Sequence, residues 1–282
     1  MNGKLYLCAT PIGNLGDITY RCVETLKSVD LIAAEDTRHT LGLLNHLNIE
    51  KPMTSYFEHN RKEKGEFLIA EMKSGKNIAL VSDAGTPAIS DPGEDLVKLC
   101  AENGIEVVPI PGAVAGINAL IASGLPTGRF TFEGFLTVNK RGRNEMLESL
   151  KNEERTMIFY EAPHKLLSTL KDMLGAFGER KISLCREITK LHEEFFRTTL
   201  SSAIAFYEEN PPRGEFVLVI DGKSKDEIKE EQESLWQKMS IERHVEMYIE
   251  RGFEEKEALK MTARDRGVSK RDIYNEYKTK NN

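Results

Sequence analysis

The residues best suited to chemistry lie in three loops, each following a short apolar run. The densest is Ser82-Asp83-Ala84-Gly85-Thr86-Pro87-Ala88-Ile89-Ser90-Asp91-Pro92-Gly93, with two Asp, two Pro and two Gly in twelve residues. Ordinary connections run about 4–6 residues, so a loop this long and this constrained points to a job beyond linkage. It can present backbone N–H and C=O groups to a flat or zwitterionic ligand. A second cluster, Glu35-Asp36-Thr37-Arg38-His39-Thr40, sets two acids, an Arg and a His within five residues. That set can bind a polar substrate or move a proton; equally, Asp36 or Thr37 can simply cap the next helix. The third loop is Thr10-Pro11-Ile12-Gly13-Asn14-Leu15-Gly16-Asp17. Its glycines let a ligand approach the backbone closely. It lacks the full G-x-G-x-x-G spacing, so a dinucleotide site is weakly indicated and a tight strand-to-helix turn reads as well.

The elements that must position these loops alternate along the chain. Leu5–Ala9, Leu31–Ala34, Ile78–Val81 and Ile105–Ile110 are apolar runs of strand length. Helical patterns over Tyr20–Ser28, Leu41–Leu47, Asn60–Gly75 (Phe67, Leu68 and Met72 inward) and Gly93–Asn103 separate them. Continuous apolar runs fenced by helices predict a mainly parallel sheet, whose ligands lie beyond the C-terminal strand ends. Gly124-Leu125-Pro126-Thr127-Gly128 marks a connection, and a second set follows. Its expected strands are Thr156–Tyr160, Lys181–Arg186, Phe195–Leu200 and Glu215–Asp221, with helices over Lys165–Phe177 and Ser201–Glu208. The fold class expected is α/β, with two α/β domains, residues 1–122 and 123–222, and a cleft between them. A helical linker (223–250, net charge −3) and a small basic helical segment (251–282, net charge +3) complete the chain. Ser269 is the expected N-cap of the last helix.

Composition bounds the function. The 282 residues are 40% apolar and 30% charged with a net charge of −6, which argues against non-specific coating of nucleic acid or membrane. A local basic patch can still bind RNA. No apolar run approaches the roughly 20 residues of a membrane span, and the N-terminus lacks a signal-peptide pattern, so a cytosolic location is expected. Cys8, Cys22, Cys100 and Cys185 form no C-x-x-C pair, so neither a zinc site nor a disulfide framework is indicated; no metal is expected.

Further motifs give these loops a context. Ala34-Glu35-Asp36-Thr37-Arg38, Pro109-Ile110-Pro111-Gly112-Ala113, Phe132-Glu133-Gly134-Phe135-Leu136, Phe159-Tyr160-Glu161-Ala162-Pro163-His164, Cys185-Arg186-Glu187-Ile188-Thr189-Lys190 and Arg213-Gly214-Glu215-Phe216-Val217-Leu218 stand in order along the chain. With the first and third loops above, this series resembles the small-subunit ribosomal RNA methyltransferase I family, a branch of the tetrapyrrole-methylase-like (class III) methyltransferases. Porphyrinoid branches usually show Gly-Asp-Pro in the long loop; Gly85-Thr86-Pro87 here fits the ribosomal branch better. The resemblance implies S-adenosylmethionine as cofactor, a homodimer, and methylation of a cytidine ribose 2′-oxygen in the decoding region of 16S rRNA. Carried over by motif, Thr10, Pro11, Gly85, Thr86, Ile89, Pro111, Gly112, Ala113, Val114, Tyr160 and Glu215 line the cofactor site.

Within that reading, Asp36 and Glu161, at strand ends facing the cleft, are the expected base candidates. Arg38 and Arg186 are placed to hold phosphate or stabilise a developing alkoxide; each can instead be a structural ion pair. The compact basic loop Lys140-Arg141-Gly142-Arg143 and the tail, with Lys270 and Arg271, are the expected RNA contacts. His59, His192 and His244 read as solvated or satisfied. Three competing readings stand beside this one. They are a porphyrinoid or protein methyltransferase on the same fold, a nucleotide-dependent oxidoreductase, and a non-catalytic RNA-binding module.

Overall fold

The computed structural model describes residues 2–279, without the side chains of Lys225, residues 229–233 and Thr279. The chain divides into two units, residues 1–150 with 155–221, and residues 151–154 with 222–282.

The first unit holds two five-stranded sheets. The N-terminal sheet contains β1 (Leu5–Cys8), β2 (Leu31–Ala34), β3 (Met53–Ser55), β4 (Ile78–Val81) and β5 (Val107–Ile110), in the order β3-β2-β4-β1-β5. Every pairing in it is parallel. Its helices are α1 (Tyr20–Ser28), α2 (Thr37–His46), α3 (Arg61–Lys73) and α4 (Gly93–Glu102). Ile78–Val81 is buried throughout, as expected of a strand covered on both faces. In α3, Leu68, Ile69 and Met72 face the core, whereas Phe67, expected inward, is exposed. Thr19 and Asp36 cap α1 and α2, each accepting a backbone N–H. The cap at Asp36 makes α2 begin four residues before its apolar pattern does.

Next come α5 (Ala115–Ser123), β6 (Phe130–Phe135), α6 (Lys140–Leu150), β7 (Thr156–Glu161), α7 (Pro163–Phe177), β8 (Lys181–Arg186), β9 (Glu194–Thr199), α8 (Leu200–Glu209) and β10 (Phe216–Ile220). The second sheet runs β6-β7-β10-β8-β9. Only β6 and β7 pair in parallel; the other neighbours are antiparallel. Ala119 and Leu120 of α5 share a core with Ile158, Cys185, Val217 and Val219, so this helix packs on the second sheet.

The second unit contains α9 (Lys225–Lys238), α10 (Ile241–Glu250), α11 (Glu255–Asp265) and α12 (Lys270–Thr279). Ile241, Val245 and Tyr248 of α10 share one core with Leu259, Ile273 and Tyr277 of α11 and α12. Residues 241–250, read from composition as solvated linker, are thus structural partners of the basic tail. Ser269 caps α12, its hydroxyl accepting the Asp272 N–H at 3.2 Å. Among the described residues, no helix is long and apolar enough to cross a membrane.

Candidate active-site cleft

A parallel sheet sends all its strand ends to one edge. The loops after β1, β2, β4 and β5 therefore converge, and hydrogen bonds lock them together. Thr10 and Gly85 form a two-way backbone bridge, Thr10 N–H to Gly85 O at 2.9 Å and Gly85 N–H to Thr10 O at 3.2 Å. Gly85 adopts a φ of 84°, a region that glycine enters at little cost. The Thr86 hydroxyl donates to Ala113 O at 3.1 Å, tying the β4 loop to the β5 loop. A Cβ on Gly112 would stand 2.6 Å from the Ala9 Cβ, so only glycine lets these backbones approach so closely.

Asp91 shapes the rest of the long loop. Its carboxylate accepts the Ala88 N–H at 2.9 Å and the Gly93 N–H at 2.7 Å. Between and beside these anchors, Ala88 and Ser90 hold φ values of 68° and 61°. Positive φ is uncommon outside glycine and persists only where the surroundings enforce it. Burial keeps the Asp91 pKa above the ordinary carboxylate value despite the donated N–H bonds.

Opposite these loops lies one edge of the second sheet. The antiparallel register sets Glu161 and Arg186 beside Phe216, and Tyr160 and Cys185 beside Val217. The Tyr160 hydroxyl accepts the Gly116 N–H at 3.1 Å, fixing the ring against the start of α5. Phe132 and Phe135 pack edge-on to that ring, at centroid distances of 5.1 and 5.5 Å. The two edges enclose a cavity of about 650 Å³, and a second of about 660 Å³ adjoins it beside the β1 loop and α2.

Of the cofactor residues expected from sequence, Gly85, Thr86, Ile89, Val114, Tyr160 and Glu215 line the first cavity. Thr10, Pro11 and again Glu215 line the second. Pro111, Gly112 and Ala113 border neither directly; they form the loop on which Thr86 rests.

The four expected catalytic residues separate. Glu161 lines the first cavity, but its oxygens accept the Thr169 hydroxyl at 2.6 Å and the Ala162 N–H at 2.8 Å. Asp36 caps α2 and pairs with Arg38 at 2.9 Å. That arginine, then the Arg38 N–H, hold the Asp36 carboxyl down at about 2, too weak a base for proton abstraction near neutrality. The Arg38 side chain is 90% exposed, and Arg186 pairs with Glu194 at 2.9 Å. None of Asp36, Arg38 and Arg186 lines either cavity.

Two charged residues not chosen from sequence as catalytic candidates border the cavities instead. Glu35 borders the first cavity, and burial, then Asp83 and Asp91, raise its pKa. Lys190 borders both cavities. Glu35 stands beside the more conspicuous Asp36, while Lys190 depends on partners far away in sequence.

The expected basic loop is instead the first turn of α6. Asn139 Oδ1 accepts the Arg141 N–H at 2.9 Å and so starts the helix. Arg143 points to Asp172 at 2.7 Å, with both side chains at least three-quarters covered, and Arg141 pairs with Glu145 in the open. Lys140 is exposed, as are Lys270 and Arg271 in the first turn of α12. His244, read from sequence as solvated or satisfied, is buried between the rings of Trp236 and Tyr248; Arg266 Nε donates to its Nδ1 at 3.1 Å, while its Nε2 has no hydrogen-bond partner among the described residues.

The tetrapyrrole (corrin/porphyrin) methylase family matches residues 4–204, from β1 into α8. This chain belongs to that family. It is 54% identical over 98% of its length to the ribosomal RNA small subunit methyltransferase I of Halalkalibacterium halodurans, covering 94% of that protein. The Bacillus subtilis protein of the same name is 51% identical over 99% of this chain and 95% of its own. Among solved structures, a diphthine synthase shares the fold, with a TM-score of 0.61 and 13% identity over 79% of this chain and 91% of that one. The two-sheet α/β architecture is thus the family's, and the helical unit after Asp221 lies beyond the matched segment.

Proposed function

We propose that the protein transfers a methyl group from S-adenosylmethionine to the ribose 2′-oxygen of a cytidine in the decoding region of 16S rRNA. The observation that carries this reading is the 54% identity, end to end, with a relative named for small-subunit ribosomal RNA methylation. The cleft fits the donor in kind. Its volume falls within the roughly 300–1,000 Å³ of small-molecule sites, and it joins apolar walls (Ile12, Ile89, Val114) to ring and carboxylate groups. Gly85, Thr86, Ile89, Val114, Tyr160 and Glu215 would hold the donor, backed by Pro111, Gly112 and Ala113, with Thr10 and Pro11 in the adjoining cavity. When bound, S-adenosylmethionine supplies an electrophilic methyl carbon.

The remaining work belongs to the chain's own residues. Locked loops and a fixed Tyr160 hold reactants in line, which is a proximity effect. Glu35, whose proton affinity burial has raised, suits accepting the hydroxyl proton better than Asp36, which Arg38 has tied up. Glu161 shapes the cleft wall. Lys140, Arg141, Lys270 and Arg271 contact phosphates, while Arg143 serves α6 packing. Ile117 and Ile121, exposed on one face of α5, support pairing as a homodimer. The protein acts in the cytoplasm on the small ribosomal subunit.

The test is methyl transfer from labelled S-adenosylmethionine to unmodified small subunits, with the RNA digested to nucleosides. Label is expected in 2′-O-methylcytidine. Label in another nucleoside or none, or binding of NAD in place of the methyl donor, would overturn the proposal.

A further inference from the structure

Lys190 is built into the junction of the two cavities more firmly than its solvent-edge position requires. It borders both, and it is the only lysine or arginine among the described residues lining the first. Its Nζ donates to Glu215 Oε2 at 2.7 Å and to Glu187 Oε1 at 3.0 Å. Glu187 is itself fixed, because the same oxygen accepts the Glu215 N–H at 2.9 Å. It also packs where Gly214 has no side chain: a Cβ there would come within 2.5 Å of the Glu187 Cγ. On the opposite side the lysine stem lies against the β1 loop, and a Cβ on Gly13 would meet the Lys190 Cγ at 2.4 Å.

The backbone around Lys190 carries an unusual load. Glu187 and Thr189 have φ values of 50° and 69°. For a β-branched residue such as Thr189 this is an outlier conformation. It is held by the Glu193 carboxylate, which accepts the Thr189 N–H at 2.7 Å. Two strained residues kept in place on the approach to one ammonium point to a functional constraint on where that ammonium sits.

We propose that Lys190 is a catalytic residue whose ammonium contacts the acceptor ribose oxygen and stabilises the negative charge that grows on it. This rests on the 2′-O-methylation reading above. A ribose hydroxyl is a weak acid, so a fixed cation at the oxygen lowers the barrier when its proton leaves. In the transfer, the oxygen–methyl bond forms while the carbon–sulfur bond breaks, its electron pair staying on sulfur. The hydroxyl proton passes to a cleft carboxylate and then to water; Lys190 keeps all of its own protons. Burial works against a charged lysine here, but Glu215 and Glu187 outweigh it and hold the Lys190 pKa above its ordinary value. The Glu215 side chain is 81% exposed, so it can turn from the ammonium to the donor and yield its place to the ribose oxygen, while Glu187 keeps the ammonium aimed.

The experiment measures single-turnover methyl transfer to unmodified small subunits, with S-adenosylmethionine affinity by calorimetry in parallel. Lys190→Met is expected to slow transfer by about 100- to 1,000-fold, the effect of removing one preorganised charge stabiliser, with donor affinity within about two-fold. Lys190→Arg, which keeps the charge, is expected to recover at least about ten-fold of that loss. Glu187→Gln, which loosens the aim and removes one charge that holds the Lys190 pKa up, should fall between and move the alkaline limb of the pH profile to lower pH. Each variant must melt within a few degrees of wild type, and Lys190→Arg guards against mistaking misfolding for lost chemistry. Near-normal turnover of Lys190→Met beside an active wild type would overturn this proposal alone. So would a loss explained entirely by weaker donor binding. An inactive wild type would instead overturn the reading on which it rests.

Discussion

Replacing Asp91 by alanine should open the long loop after β4 and weaken donor binding, and the size of the effect can be worked from the loop itself. Ala88 and Ser90 occupy the left-handed region, which costs roughly 1–2 kcal/mol per non-glycine residue, or about 2–4 kcal/mol together. Against this, the Asp91 carboxylate receives the N–H groups of Ala88 and Gly93. Hydrogen bonds to a charged group contribute about 1.5–3 kcal/mol each, so about 3–6 kcal/mol for the pair. The wound loop wins by about 1–2 kcal/mol, and only while the carboxylate is present. Without it the strain is unopposed and the balance tips to an open loop. Binding then has to supply the unopposed strain of about 2–4 kcal/mol, which corresponds to roughly 30- to 1,000-fold in Kd for S-adenosylmethionine, measurable by calorimetry. Hydrogen exchange at the Ala88 and Gly93 amides should quicken in parallel. Adding Ala88→Gly to Asp91→Ala removes one strained residue and should recover roughly five-fold of the lost affinity. If Asp91→Ala binds the donor within two-fold of wild type, or the added glycine makes matters worse, the reasoning fails.

Further outcomes follow from the same geometry. Burial, and then the Arg266 cation, depress the His244 pKa below its ordinary 6.5, with Asp265 opposing. The unfolded chain therefore takes up a proton first, and stability present above about pH 6.5 is lost as pH falls through the depressed value. Trp236, the only tryptophan, stacks on His244 and reports this unit, so its urea midpoint should drop between about pH 7.5 and about pH 5; an unchanged midpoint would contradict it. Arg143→Ala should cost about 1–3 kcal/mol by stranding the largely covered Asp172, read as a lower Tm. Arg141→Ala, whose exposed pair contributes under about 1 kcal/mol, should leave Tm alone yet reduce affinity for small subunits and its salt dependence. Truncation after Gly222 should weaken RNA binding and spare S-adenosylmethionine binding. A cut at Arg251 should instead leave α10 with an uncovered apolar face and lower solubility.

What the sequence disclosed, and what it hid, follows from how far apart interacting residues lie. The strands of the first sheet were legible because parallel strands covered on both faces read as unbroken apolar runs. β3 was not, being three half-buried residues, and α5 was not, because its composition is apolar nearly all round and carries no clear period. The basic run at Lys140 reads as a loop from its charge and Gly142; the signal that makes it a helix is Asn139, one residue earlier. At the site, the loops after β1 and β4 announced themselves by composition. Asp36 looked chemical because it is acidic, yet its partner sits two residues away and the pair caps a helix. Lys190 looked ordinary because Gly13, Gly214 and Glu215, which fix it, are distant in sequence and meet only when both sheets are in place.

The most direct measurement is alkaline hydrolysis of 16S rRNA from small subunits treated with the protein and S-adenosylmethionine, followed by mass analysis. A 2′-O-methyl group blocks cleavage at its own phosphodiester, so the account predicts one new alkali-stable dinucleotide that begins with methylated cytidine. Complete hydrolysis with no such product, or a methyl group recovered on a base, would contradict it.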